Sequence, residues 1–345
     1  MEKKVLAELE KCYAIAPLQY QGDMHLLVAA EKTDRCILFD ADGNEKETIW
    51  EGPGGVMTMV QFPGTDGQFL ATHKFYSPND SKEAKIVVVT PDGNGTWEIR
   101  TLVNLPHVHR FDILQSNGNH YLIACTLKSG HEYKDDWSHP GKVYAAKLPE
   151  DLSQFDDEHP LELQIIKDGM LKNHGYYKVR EGEEESALVC SENGVFRFYP
   201  PTHAEDTWSV EQLLDLPASD ALLADLDQDG EKELVILSPF HGSEIRIYRK
   251  IRDAYQLVYL FPEKAEFLHA IWSGAINGKP VAVIGHRNGA KRLLRFSWDP
   301  KKKNYTFEIL DENCGPANAY GYSRNGKDIL IATNREINEI AMYVF

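Results

Sequence analysis

Histidine is the residue type whose placement in this chain could do chemistry. Of 13 histidines, nine lie at two recurrent places beside short apolar strand patterns. The first place, before or at the start of one strand, holds His107 and His109 in Pro-His-Val-His-Arg, His174 in Lys-Asn-His-Gly, and His269, with Asp220 and Asn318. The second, just after the following strand, holds His73 beside Lys74, then His131, His139, His241 and His286 beside Arg287. Glu31, Glu192 and the pair Asn334-Arg335 occupy the same place. Imidazole is the usual side-chain ligand of borderline metals and the usual acid-base group near neutral pH. Imidazoles crowded together repel when protonated, and a divalent cation holds them neutral. His109, His174 and His269 are therefore the expected ligands of one divalent transition metal (Zn, Mn, Ni or Co), at ~2.0–2.1 Å with positions open for water or substrate. His73 or His286 is the expected base, with Lys74 or Arg287 steadying developing negative charge and His107 and His241 completing the ring. The spacing is long-range, so it is a less specific signal than a local metal motif.

The same segments carry aromatics and cations. Phe75, Tyr76, Trp137, Phe240, Trp272 and Tyr320 could wall a pocket, and Lys74, Lys128, Arg287 and Arg335 could bind hydroxyls or an oxyanion. Aromatic faces with a few polar groups suit a sugar-like small molecule. The bland alternative is that a histidine merely bonds backbone and an aromatic merely packs between sheets.

A second group that could do chemistry is the turn Asp225-Leu-Asp227-Gln-Asp229-Gly230-Glu-Lys-Glu233, inside ALLADLDQDGEKELVILSPFHGSEIRIYRK. Carboxylates at positions 1, 3, 5 and 9 with glycine at 6 let a tight loop wrap oxygens around Ca²⁺. Asp225, Asp227, Asp229 and Glu233 are thus the expected ligands of a structural calcium, far from the histidines. The turn lacks the position-12 glutamate of an EF-hand and precedes a strand. The competing reading is a solvated acidic hairpin.

Something must position these residues, and the sequence repeats a unit that could. A strand, a glycine turn, an apolar strand, a polar loop and another strand recur seven times. The turn glycines are Gly22, Gly67, Gly118, Gly182, Gly230, Gly278 and Gly326, separated by 45, 51, 64, 48, 48 and 48 residues. Insertions at 127–142 and 151–159 explain the long steps. Fourth strands are expected at 96–103, 161–166, 255–261 and 305–310. A period in the forties with three or four short strands per unit predicts an all-β, seven-bladed β-propeller. The last unit ends at Phe345 without a fourth strand, while residues 5–9 form a strand with no unit of its own. The N-terminal strand is expected to close the last blade and so cover its edge. The expectation is one propeller domain over 1–345.

Composition narrows the function. The 345 residues carry a net charge of −16, which argues against a general nucleic-acid binder. No apolar run reaches the ~20 residues of a membrane span. The charged start MEKKVLAELEKC has no signal-peptide core, so a cytoplasmic location is expected. The five cysteines, Cys12, Cys36, Cys125, Cys190 and Cys314, are odd in number and form no CxxC; buried free thiols are expected.

The stretch ADLDQDGEKELVIL resembles the FG-GAP or VCBS type of propeller repeat, in which such a turn often holds Ca²⁺. Only one copy is intact; Gln115-Ser-Asn-Gly118 and Gly274-Ala-Ile-Asn-Gly278 have lost the acidic set. With the His-Val-His stretch, the blade pattern is similar to the propeller part of aldos-2-ulose dehydratase and related keto-sugar lyases. That resemblance implies a metal polarising a carbonyl or enediolate while a histidine removes the α-proton. It covers no complete catalytic motif, and the further domains of those enzymes are not expected within these 345 residues. The leading expectation is a metal-dependent enzyme acting on a carbohydrate or sugar-derived carbonyl compound, by elimination, isomerisation or hydrolysis. The alternative is a non-catalytic propeller binding a protein or glycan through the same face. A lactonase-like Ca²⁺ site fits less well, because Ca²⁺ prefers oxygen ligands.

Overall fold

Each of the seven turn glycines joins the first and second strands of one sheet, and each has a positive φ, from 65° at Gly182 to 96° at Gly230. Asn117, Asn277 and Asn325, which precede three of them, are left-handed as well. Two consecutive positive φ values make the tight hairpin turn whose twist matches that of the strands, and Asn-Gly is the pair that adopts it at least cost. The repeat visible in the sequence is therefore a repeat of hairpins.

The computed structural model describes residues 1–203 and 206–345. Among these, seven four-stranded antiparallel sheets form a seven-bladed β-propeller. Blade 1 is Cys12–Tyr20, Asp23–Ala30, Cys36–Asp40 and Glu45–Trp50. Blade 2 is Met59–Gln61, Phe69–His73, Lys85–Pro91 and Trp97–Asn104. Blade 3 is Val108–Ser116, Asn119–Thr126, Gly141–Leu148 and Gln164–Met170. Blade 4 is Gly175–Glu181, Glu184–Ser191, Gly194–Tyr199 and Ser209–Leu214. Blade 5 is Asp220–Ala224, Glu233–Ser238, Glu244–Ile251 and Ala254–Leu260. Blade 6 is Glu266–Ile276, Lys279–Asn288, Leu293–Asp299 and Asn304–Asp311. Blade 7 is Asn318–Arg324, Lys327–Asn334 and Glu339–Val344, completed by the N-terminal strand Glu2–Glu8. That closing strand runs antiparallel to Glu339–Val344, with Glu2 opposite Val344 and Lys3 opposite Tyr343.

The second strands hold long buried runs. Leu26–Ala30, Phe69–His73 and Tyr121–Thr126 are buried without alternation. A strand covered on both faces reads as a continuous apolar run, which is why these segments stood out in the sequence. By compactness the chain divides into two units. One comprises Met1–Cys12, Cys190–Phe196 and Gln212–Phe345; the other comprises Tyr13–Val189 and Arg197–Glu211. All five cysteines are buried free thiols. Among the described residues, no helix is long and apolar enough to cross a membrane.

Candidate functional site

Because first and second strands pair antiparallel, the start of one and the end of the other meet at the same edge of a blade. In blade 6 Leu268 lies opposite His286; in blade 7 Asn318 lies opposite Thr333; in blade 3 Val108 lies opposite Thr126. The two sets of residues read from the sequence therefore share one edge within each blade. Three of them have left-handed backbones, Lys74 (φ 64°), His107 (64°) and His241 (48°), as does Phe267 (60°), two residues before His269. Non-glycine residues there cost about 1–3 kcal/mol each and tend to gather at functional edges.

In the unit containing blades 5–7, His241, Phe240 and Phe267 stack. The His241 ring lies 4.0 Å from Phe240 and 4.2 Å from Phe267, with interplanar angles of 25° and 22°. His269 is parallel to Phe267 within 3° at 6.3 Å, and 5.6 Å from His241. The His269 Nδ1–H donates to the Ala317 carbonyl at 2.7 Å, which leaves Nε2 as the lone-pair nitrogen. Ligand nitrogens of His241 and His269 lie within 4.8 Å of each other. The Arg287 guanidinium sits 4.7 Å over the Phe267 ring, and its Nε donates to Glu336 at 2.9 Å. Arg335 donates to the same Glu336 oxygen at 2.8 Å. Burial would push the Glu336 carboxyl up, but the two arginines outweigh it and hold it below its ordinary range. Phe240, His241, Phe267 and Arg287 are only partly buried, whereas His269 is enclosed.

In the unit containing blades 1–3, His109 and His174 come together, with ring centroids 4.6 Å apart and His109 Nδ1 3.3 Å from the His174 carbonyl. Phe75 meets His109 edge-on at 5.0 Å. His107 Nδ1 is 2.8 Å from the Ser81 hydroxyl, and its ring meets His131 edge-on at 5.4 Å. His139 lies 3.8 Å from Asp136. Burial, reinforced by His131 and Lys128, lowers the His107 pKa to about 4.

Several expected site residues are occupied with the fold. His73 packs edge-on against Trp50 at 4.8 Å, and burial, then Lys85 and Lys74, lowers its pKa to about 4. Lys74 pairs with Glu83 at 3.0 Å. His286 Nδ1–H donates to the Asn288 carbonyl at 2.9 Å, and its Nε2 accepts the Arg292 N–H at 3.2 Å. Both nitrogens then hold a turn, and neither is left to move a proton. Lys128 is buried, donates to the Asp136 carbonyl and lies 4.2 Å over Trp137, which fixes the 127–142 insertion. Trp272 packs where any side chain on Gly274 or Gly321 would collide with it, at 2.4 Å in each case. Asp220 and Asn318 are held by Ser219 and Thr333. Asp225, Asp227 and Asp229 bring carboxylate oxygens within 4.8 Å of one another, on the turn at the opposite end of blade 5 from His241.

Phe267 is the contributor that the sequence did not single out. The only signal in the sequence was an aromatic two residues before His269; the parallel placing of the two rings comes from the left-handed backbone at Phe267 and a bulge between Leu268 and Ala270.

No family model matches the chain, and no curated protein matches it. Solved structures do. The chain is similar to the β-propeller domain of Cps50 (Swd1) from Myceliophteria thermophila, at 10% identity and TM-score 0.61 over 99% of both chains. It is also similar to the Dos1 propeller, at 12% identity and TM-score 0.55 over 95% of this chain and 77% of that one. At these identities the likeness is one of fold: the chain is a β-propeller. The FG-GAP and keto-sugar-lyase resemblances gain no support from these matches and rest on the short motifs alone.

Proposed function

We propose that this chain is a non-catalytic propeller that binds another protein through the blade edge built by Phe240, His241, Phe267 and Arg287. The observation that carries the reading is the partly exposed ring stack with a guanidinium on its face, held by strained backbone at His241 and Phe267. Aromatic rings and arginine dominate the buried centres of protein interfaces, because they bring large rigid area and directional bonds together. Histidines whose nitrogens bond backbone fit a rigid platform better than a proton relay. Two solved propellers of the same fold are consistent with a module of this type.

The test compares wild type with His241→Ala and Phe240→Ala as cross-linking baits, after melting curves confirm both variants fold. A partner captured by wild type and lost from both variants supports the reading. Equal capture by all three removes it.

A second reading has one specific support: the His269 Nδ1 bond to Ala317 sets the tautomer of a metal-binding imidazole, and His241 presents a second nitrogen nearby. Those residues could help hold a divalent transition metal, which would polarise a substrate carbonyl, as a sugar-converting enzyme requires. Metal content after reconstitution with Zn²⁺, Mn²⁺, Ni²⁺ or Co²⁺ decides it. A stoichiometric ion lost in His269→Ala would favour the enzyme, and no retained ion would leave the binding module.

A further inference from the structure

The acidic turn of blade 5 has its own cation. Arg249, on the third strand of the blade, reaches back across it. Its guanidinium lies 2.7 Å from Asp227 Oδ2, also pairs with Asp229 Oδ2, and comes within 3.6 Å of Glu233 Oε1. The register sets this up. Leu234 faces Tyr248 across the two strands, so the next pair outward is Glu233 and Arg249.

The other oxygens of these carboxylates are also engaged. Asp227 Oδ1 accepts the Asp229 N–H at 3.2 Å, and Asp229 Oδ1 accepts the Glu231 N–H at 2.9 Å. Glu233 accepts the Leu226 N–H on one oxygen at 2.7 Å and the Tyr305 hydroxyl on the other at 2.8 Å. Asp225 Oδ2 accepts the Gly230 N–H at 3.1 Å, leaving its Oδ1 as the carboxylate oxygen of the four that makes no hydrogen bond. Calcium needs six to eight oxygens, and two of the nearest, Asp227 Oδ2 and Asp229 Oδ2, already face a guanidinium. A calcium ion would also sit against a guanidinium that cannot lose its proton. The spacing of the turn fits calcium; the charge that faces it does not.

We propose that Arg249 is the resident cation of this turn and that the folded chain takes up no calcium there. The arginine performs the neutralising work an ion performs in a turn of this spacing. With Tyr305 it makes the turn a staple between blades 5 and 6: Glu233 is buried, and its Tyr305 partner stands on the outer strand of the next blade. Removing the arginine would take from Asp227, Asp229 and Glu233 the guanidinium that faces all three, and a calcium ion would relieve the crowding of their charges.

Two measurements test this on the full chain. Calcium titrated calorimetrically into chelator-treated wild type should give no binding heat. The wild-type melting temperature should be the same in millimolar CaCl₂ and in chelator. Arg249→Ala should melt at least about 2 °C lower in chelator, and calcium should restore part of that loss by binding the folded form. Stoichiometric calcium binding by wild type, or an Arg249→Ala protein that melts as wild type does, would overturn the proposal. If Arg249→Ala does not fold, the wild-type titration still decides. Arg249→Lys, which keeps the charge and loses the fork, should then fold with a lower melting temperature and stay insensitive to calcium.

Discussion

His73 and His107 carry the clearest consequence at the scale of single residues. Both have pKa values near 4, where an unfolded histidine titrates near 6.5. Between those values the unfolded chain binds more protons than the folded one, so stability rises with pH across that window. It is fully present above about pH 6.5 and falls as the pH drops toward 4. We expect the melting temperature to be flat above neutrality and to decline below it, more gently in His73→Asn, which has no proton to gain. A variant with the wild-type slope would show that His73 does not contribute. The sequence placed these histidines at the right strand ends, because strand ends follow from apolar runs and turn glycines. It could not show which nitrogens were already spoken for. His286 looked like a base, yet Asn288 and Arg292 engage both of its nitrogens from a local turn that no side-chain pattern announces. Phe267 escaped for the related reason that a left-handed backbone at a bulky residue is imposed by its surroundings.

Strands behave differently, because their signals are periodic. The closing strand was legible: residues 5–9 had no unit, and the last blade had no fourth strand. The structure places that strand at Glu2–Glu8 and adds the bonds that hold it. Lys3 bridges Asp311 at 2.8 Å and Glu339 at 2.7 Å, and the Tyr343 hydroxyl donates to Asp311 at 2.7 Å. An isolated, partly exposed ion pair contributes about 0–1 kcal/mol; a lysine and a hydroxyl sharing two carboxylates should stand at the upper end. Lys3→Ala should therefore destabilise by about 1 kcal/mol, a small drop in melting temperature. Deleting residues 1–8 should cost far more, because it bares the backbone row of Glu339–Val344. A truncated chain that melts like wild type would remove the closing role. The strand expected at 161–166 lies instead at Gln164–Met170. Leu161 misled the reading: it is buried, but its N–H donates to Leu102 of blade 2, so its apolar character reports packing on the neighbouring blade.

Across the whole molecule, the chain shares its fold with two propellers at only 10% and 12% identity, so the fold does not depend on a common set of residues. Such a fold leaves seven outer strands exposed, and six of them carry Lys, Arg, Asp or Glu, the usual defence against pairing with another chain. The outer strand of blade 5, Ala254–Leu260, carries none, and Leu257, Val258 and Leu260 on it are exposed. A net charge of −16 opposes the approach of two copies, but that repulsion is screened within about 10 Å at 0.1 M salt. The two effects predict an opposite pair of outcomes. On mild heating, wild type should associate faster as salt rises, since screening removes the repulsion and spares the apolar edge. Leu257→Lys should suppress that association at every salt concentration by placing a charge on the edge, while leaving the melting temperature close to wild type because the side chain is half exposed. Light scattering against temperature at low and physiological salt reads both. If the variant aggregates as wild type does, the vulnerable surface lies elsewhere and the uncharged edge of blade 5 is inert.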